Sequence, residues 1–416
     1  MRALSLATVF AALSGFVVLF VASWALGESR YDQFQAYWGL FFALAGLIDG
    51  LTHETTRASS AARERSVTET SVAPGSARPW RLAAIVGGAV FLLIAASAWA
   101  WMPLLVSEGS GATALMAIGL LSYAFQAVLS GLLSGLKLWP QYAWLMAIDS
   151  GIRLVLSVGA WALGWGLTGF YVVTVIGSVT WLVILGSSTA ARRAVRAPLD
   201  VSMAVYVRRV GSAMLASGAS ATLITGFPVL LQATSQNPTT LTGVSVSALM
   251  FAIMLTRAPI LVPLQRFQSA LIVRFVSDSA LKSLGAPLAL VLGVGLVGAA
   301  AAWLIGPWFM VTFLPEGFEV TGWVLAALTF ASACTGSLMI TGAAALARER
   351  HAFYVAGWVT ATLVAFGVLL TPLPLEIGVS AALIVGPVAG GLVHVAALRR
   401  DGRQPVEVYD ASENVT

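Results

Sequence analysis

Residues 40–57 read LFFALAGLIDGLTHETTR. The stretch begins as an apolar run interrupted by Asp49 and closes on His53, Glu54 and Arg57. With Trp38 and Gly39 before it, the run reaches the roughly 20 mostly apolar residues that a membrane-spanning helix needs. The composition of the whole chain points the same way. Of 416 residues, 58% are hydrophobic and only 10% are charged, whereas a soluble domain carries about a quarter charged residues to solvate its surface. That surface is missing here, so the solvent is lipid.

Working outward, similar runs predict spans at 4–26, 35–55, 81–106, 112–135, 141–163 and 168–188. A second set follows at 209–232, 243–265, 285–309, 319–343, 352–371 and 377–397. Met1-Arg2 before an apolar stretch has the charge order of a secretory signal, but the run is long and Trp24 sits beside the candidate cleavage point, so a retained first helix is expected. With the N-terminus placed inside, the inner loops collect Arg57, Arg63, Arg65, Arg78, Arg81 and Lys137, then Arg192, Arg193, Arg196, Arg208 and Arg209. Later inner loops add Arg266, Arg274, Lys282, Arg348, Arg350, Arg399, Arg400 and Arg403. The outer loops hold Arg30, together with Glu108, Glu316, Glu319 and Glu376. This asymmetry follows the positive-inside rule and places both termini in the cytoplasm.

The two sets of six read as a repeat. Residues 249–266, LMFAIMLTRAPILVPLQR, share with 40–57 a Phe-Ala start and a terminal Arg at an offset of 209. Residues 130–142 and 341–353 align Gly131 with Gly342, Lys137 with Arg348 and Tyr142 with Phe353 at an offset of 211. An even number of spans per half makes the repeat parallel. The expected organisation is a six-helix bundle over 1–190, a basic cytoplasmic linker over 191–208, a second bundle over 209–398 and a cytoplasmic tail over 399–416.

Ionisable residues inside the bilayer are costly, and that makes them candidates for function. Asp49 on the second span and Arg257 on the eighth fall at similar depth in corresponding helices. They either pair across the halves or line a hydrated cavity. Asp149 and Arg153 stand four apart on the fifth span, where a local ion pair locks the helix or a carboxylate couples to an ion. His53, Glu54, Arg57, Gln265 and Arg266 lie near the cytoplasmic interface, where snorkelling is easy. Pro259 and Pro263 remove helix hydrogen bonds from the eighth span and predict a kinked, cavity-facing or moving element. The single cysteine, Cys334, leaves no disulfide framework. No P-loop motif occurs, and the three histidines lack metal-ligand spacing, so no cofactor is expected beyond a coupling H⁺ or Na⁺. The basic residues are spread over short loops, so they indicate topology and no nucleic-acid partner.

The stretches Trp38–Arg57, Leu129–Leu154 and Leu255–Phe275 resemble bacterial polysaccharide-biosynthesis flippases of the Wzx type, within the multidrug/oligosaccharidyl-lipid/polysaccharide exporter superfamily. The resemblance implies an all-α membrane fold of about twelve helices, as two pseudo-symmetric six-helix bundles around a central cavity. It implies a bacterial inner-membrane transporter, not an enzyme, that moves lipid-linked glycans by alternating access beside other glycan-synthesis proteins. Carried over, it makes Asp49, Glu54, Arg57, Arg257, Gln265 and Arg266 cavity candidates. The seventh span departs from the expected charge, offering hydroxyls instead at Ser212, Ser217, Ser220, Thr222 and Thr225. An ion-coupled drug exporter of the same superfamily is the main alternative; a membrane glycosyltransferase or polymerase and a major-facilitator exporter fit less of the chain.

Overall fold

The computed structural model describes residues 2–68, 75–105, 110–235, 243–277, 283–348 and 350–401. Among the described residues the regular structure is helical throughout. The first half comprises α1 (Arg2–Leu26), α2 (Glu28–Thr68), α3 (Pro79–Leu105), α4 (Ser110–Gly135) and α5 (Trp139–Ala162). It continues with α6 (Gly166–Ile176), a 3₁₀ turn (Gly177–Val179), α7 (Thr180–Ser187) and the short α8 (Thr189–Ala194). The second half comprises α9 (Met203–Ile224), α10 (Phe227–Thr234), α11 (Val246–Ser277), α12 (Gly285–Phe313), α13 (Gly322–Ala347), α14 (His351–Leu369) and α15 (Leu375–Asp401). Among the described residues, 11 helices are long and apolar enough to cross a membrane, or 12 when the bent pair α9–α10 is taken as one span.

The packing repeats between halves: α2 and α3 both lie on α4, as α11 and α12 both lie on α13. α13 is the most enclosed span, 78% buried over its apolar window, whereas α12 is 6% buried and presents its apolar surface outward. In water such a surface would be untenable; in lipid it is the solvated face.

Three elements depart from the sequence reading. The second span, expected at 35–55, runs from Glu28 to Thr68 over 41 residues, about 60 Å at 1.5 Å per residue. Apolar content marks only the part in lipid, while the helix-forming Ala, Arg and Glu of 58–65 carry it further. The sixth span contains a 3₁₀ turn at Gly177–Val179. The seventh span, expected at 209–232, is broken by 54° between α9 and α10, whereas α11 is one continuous helix through Pro259 and Pro263. Pro259 and Pro263 share one exposed face of α11. The α9–α10 break is written as Thr225-Gly226-Phe227-Pro228, a helix stop followed by proline in the next helix's first turn.

The halves meet tightly along α2 and α9, which run antiparallel. At one end, that of the Gly27 turn, further contacts cross between them. Ser247 donates to the Glu28 carbonyl at 2.6 Å, the Asp32 amide donates to Ser247 at 3.0 Å, and Gln232 donates to Asp32 at 3.0 Å. Trp24 donates to the Phe313 carbonyl at 3.0 Å, and Tyr31 packs edge-on against Phe318 at 5.2 Å. Gly27 itself has φ +62°, the left-handed turn that reverses the chain in one residue between α1 and α2.

Candidate functional site

Two adjoining cavities lie between the halves. The first, of about 260 Å³, is walled by Phe16 of α1, Trp38 and Phe42 of α2, Pro228 of α10, and Met254 and Leu261 of α11. Its polar groups include Gln35, Thr225 and Arg257. The second, of about 310 Å³, carries Asp49 and His53 of α2, Tyr123 of α4, Ser217 and Ser220 of α9, and Thr225 just after α9. Phe42, Ile224 and Thr225 border both, so an apolar compartment and a polar one share a wall.

Arg257 lines the first cavity and bonds Ile224 on the shared wall. α9 ends at Ile224, the N–H groups of Thr225 and Gly226 both go to the Ala221 carbonyl, and Pro228 has no N–H to offer four residues on, so the Ile224 carbonyl is left open at the bend. Arg257 fills the vacancy: its Nη1 donates to the Ile224 oxygen at 2.6 Å, and the guanidinium lies over the Phe227 ring at 5.5 Å. The side chain is buried, and its Nη2 has no hydrogen-bond partner among the described residues. Asp49 turns the other way. Its Oδ1 accepts from Tyr123 at 2.8 Å and from Thr52 at 3.5 Å. Asp49 and Arg257 thus do not pair; they line neighbouring compartments, each held by neutral groups.

Asp149 and Arg153 form an ion pair at 3.1 Å, with Arg153 over the Phe42 ring at 5.0 Å. Neither residue lines the two cavities, which Phe42 borders. The pair packs on the 3₁₀ turn of the sixth span, where a Cβ at Gly177 would collide with Asp149 and Arg153. Removing one member of a buried pair leaves an uncompensated charge, at a cost of about 3–5 kcal/mol. Asp149→Asn should therefore lower thermal stability strongly, and the double change with Arg153→Met should recover much of it. A double variant no more stable than the single one would contradict a structural pair.

Glu54 and Arg57, expected in the cavity, line neither compartment. Arg57 bonds Glu54 at 2.7 Å and Asp200 at 3.2 Å, and Arg209 of α9 lies 3.8 Å from Glu54. Thr55 and Tyr206 add a hydrogen bond of 2.5 Å between α2 and α9. Glu54 and Asp200 are nearly buried carboxylates, which need cationic partners, and this takes up Arg57. The side chains of Gln265 and Arg266 lie outside the described residues. Sequence reasoning did not single out Pro228, Tyr123 or Gln35. Only the Gly-x-Pro punctuation at 226–228 offered a signal; a tyrosine or glutamine in an apolar span has none.

No protein-family model matches the chain. The uncharacterized protein Mb3654 of Mycobacterium bovis is 38% identical over 397 residues, covering 95% of this chain and 90% of that protein. The uncharacterized protein Rv1510 of Mycobacterium tuberculosis is 37% identical over 398 residues, with 95% and 90% covered. Among solved structures, a multidrug resistance MATE family transporter of the MOP superfamily in an inward-facing conformation superposes with a TM-score of 0.71 at 17% identity, covering 94% of this chain and 96% of that one. An outward-facing MATE family transporter gives 0.62 at 16% identity, with 94% and 96% covered. A MOP superfamily transporter from Pyrococcus furiosus, whose binding pocket of reverse polarity suggests a different function, gives 0.61 at 16% identity, with 94% and 96% covered. This chain therefore belongs to one family with the mycobacterial proteins, and it is a multi-pass membrane protein with the fold of the MOP superfamily transporters.

Proposed function

We propose that the protein is a flippase for a lipid-linked oligosaccharide or polysaccharide precursor in the bacterial inner membrane, working by alternating access. One observation carries the reading: a polar and an apolar compartment adjoin, and a buried, half-satisfied arginine lines the apolar one beside their shared wall. A lipid-linked sugar has the same order of parts. Its sugar hydroxyls suit Asp49, Tyr123, Ser217 and Ser220, its phosphate suits the planar donor fork of Arg257, and its chain suits Phe16, Trp38 and Met254. If both termini are cytoplasmic, the contacts of Ser247, Asp32 and Gln232 close the halves against each other on the outer side. In this setting the sugar enters from the cytoplasm and the partners are other glycan-synthesis proteins.

A second reading is an ion-coupled exporter of organic cations, favoured by Asp49 in the polar compartment and by the drug transporters that share the fold. Binding assays on the purified protein separate the two. A lipid-linked oligosaccharide should bind and Asp49→Asn should weaken it, with an organic cation of similar size failing to compete. Competition by the cation, with no binding of the lipid-linked sugar, would overturn the flippase.

A further inference from the structure

Arg257 lines the apolar cavity while its Nη1 is tied to a backbone carbonyl at the α9–α10 break. In an uninterrupted helix, the N–H of residue 228 would occupy the Ile224 carbonyl. Pro228 lacks that N–H, the helix breaks by 54° before it, and the freed carbonyl takes Nη1 of Arg257 instead. Anchoring a guanidinium at one nitrogen restricts its swing, and here the side chain lines the apolar cavity while its other terminal nitrogen, Nη2, is buried without a hydrogen-bond partner among the described residues.

We infer that Pro228 is a positioning residue of a phosphate site: by leaving the Ile224 carbonyl open, it anchors Arg257 with Nη2 free to bind a phosphate group carried on an apolar chain. The inference rests on the anionic-lipid reading above and adds to it a residue on another helix that sets the affinity. The chemistry of the wall selects the ligand. Phe16, Trp38, Met254 and Leu261 around one arginine favour an alkyl phosphate over inorganic phosphate, whose four oxygens would be stripped of water among apolar groups. Restoring the N–H by Pro228→Ala should return the Ile224 carbonyl to the helix and let the guanidinium swing. Losing the preorganisation of one long side chain corresponds to about a fivefold to tenfold loss of affinity.

The test is calorimetric titration of the full chain in lipid nanodiscs with octyl phosphate below its micelle concentration. Inorganic phosphate and octyltrimethylammonium serve as parallel arms. Wild type should bind octyl phosphate well, inorganic phosphate weakly and the ammonium not at all, and Arg257→Gln should abolish binding. Pro228→Ala should weaken octyl phosphate about fivefold to tenfold in the wild-type background, and should change no residual binding in the Arg257→Gln background. Arg257→Lys keeps the charge but has no second fork nitrogen, so it should be as poor as glutamine. Full affinity in Pro228→Ala or in Arg257→Lys overturns the positioning role while the anionic-lipid reading stands. If octyl phosphate does not bind wild type, or binds Arg257→Gln equally, both fall together. Inorganic phosphate binding as tightly as octyl phosphate would refute the alkyl-phosphate selectivity.

Discussion

Replacing Arg257 by glutamine is expected to lower glycan export by two to three orders of magnitude with protein levels unchanged. The side chain is buried at the wall of the apolar cavity, with one nitrogen on the Ile224 carbonyl and another unpaired. A phosphate held by such a group makes a charge-assisted hydrogen bond where water does not compete. Truncating one partner of a buried, hydrogen-bonded charge pair costs about 2–5 kcal/mol, which spans roughly thirtyfold to several thousandfold. Stability should move the other way or hardly at all, because the variant removes a buried charge with no carboxylate partner in the described structure. Arg57→Gln serves as the contrast. Its guanidinium bonds Glu54 and Asp200 away from both cavities, so its loss should appear first in thermal stability. Transport measured in cells with surface-expression controls separates these outcomes. Normal export by the Arg257 variant would remove the phosphate from this site.

Gly50→Ala is expected to destabilise the protein by about 1–3 kcal/mol, the usual cost of overpacking a close interface. On α2, Gly46 faces Ala221, and a Cβ at Gly50 would run into the backbone of Ala213 and Met214 on α9. On α9, Gly218 faces Leu47. In lipid there is no hydrophobic drive between helices, so small residues that allow close approach hold the pair by dispersion contacts. Alanine favours an isolated helix over glycine by roughly 1 kcal/mol, and this opposes the clash. At Gly50 the clash wins, because its partners are backbone atoms that cannot turn aside. Gly15 is the control: nothing lies within 4 Å of a Cβ there, so Gly15→Ala should be neutral or mildly stabilising. Melting temperatures in detergent, compared with wild type, decide the matter; equal values for Gly50→Ala and Gly15→Ala would contradict the close interface.

Much of this architecture was legible in the text of the chain. Apolar runs of spanning length and a low charge content left only a helical membrane fold, since every backbone polar group must be satisfied within its own segment in lipid. The scarcity of ionisable residues in those runs made Asp49, Asp149, Arg153 and Arg257 visible at once, and the spacing of Asp149 and Arg153 placed them on one helix face. Other features were beyond its reach. Hydropathy stops marking a helix where it leaves lipid, so the long extension of α2 to Thr68 did not show. Charge alone could not separate Arg57, paired with Glu54 and Asp200, from Arg257, which bonds a backbone carbonyl. Proline count pointed to α11 and passed over Pro228 beside the break between α9 and α10. The sequence by itself determined what must lie in lipid and which few groups would be costly there. The tertiary structure decided which of those groups meet, because a side chain's partner across the halves is fixed by helix register and close packing, neither of which a single helix encodes.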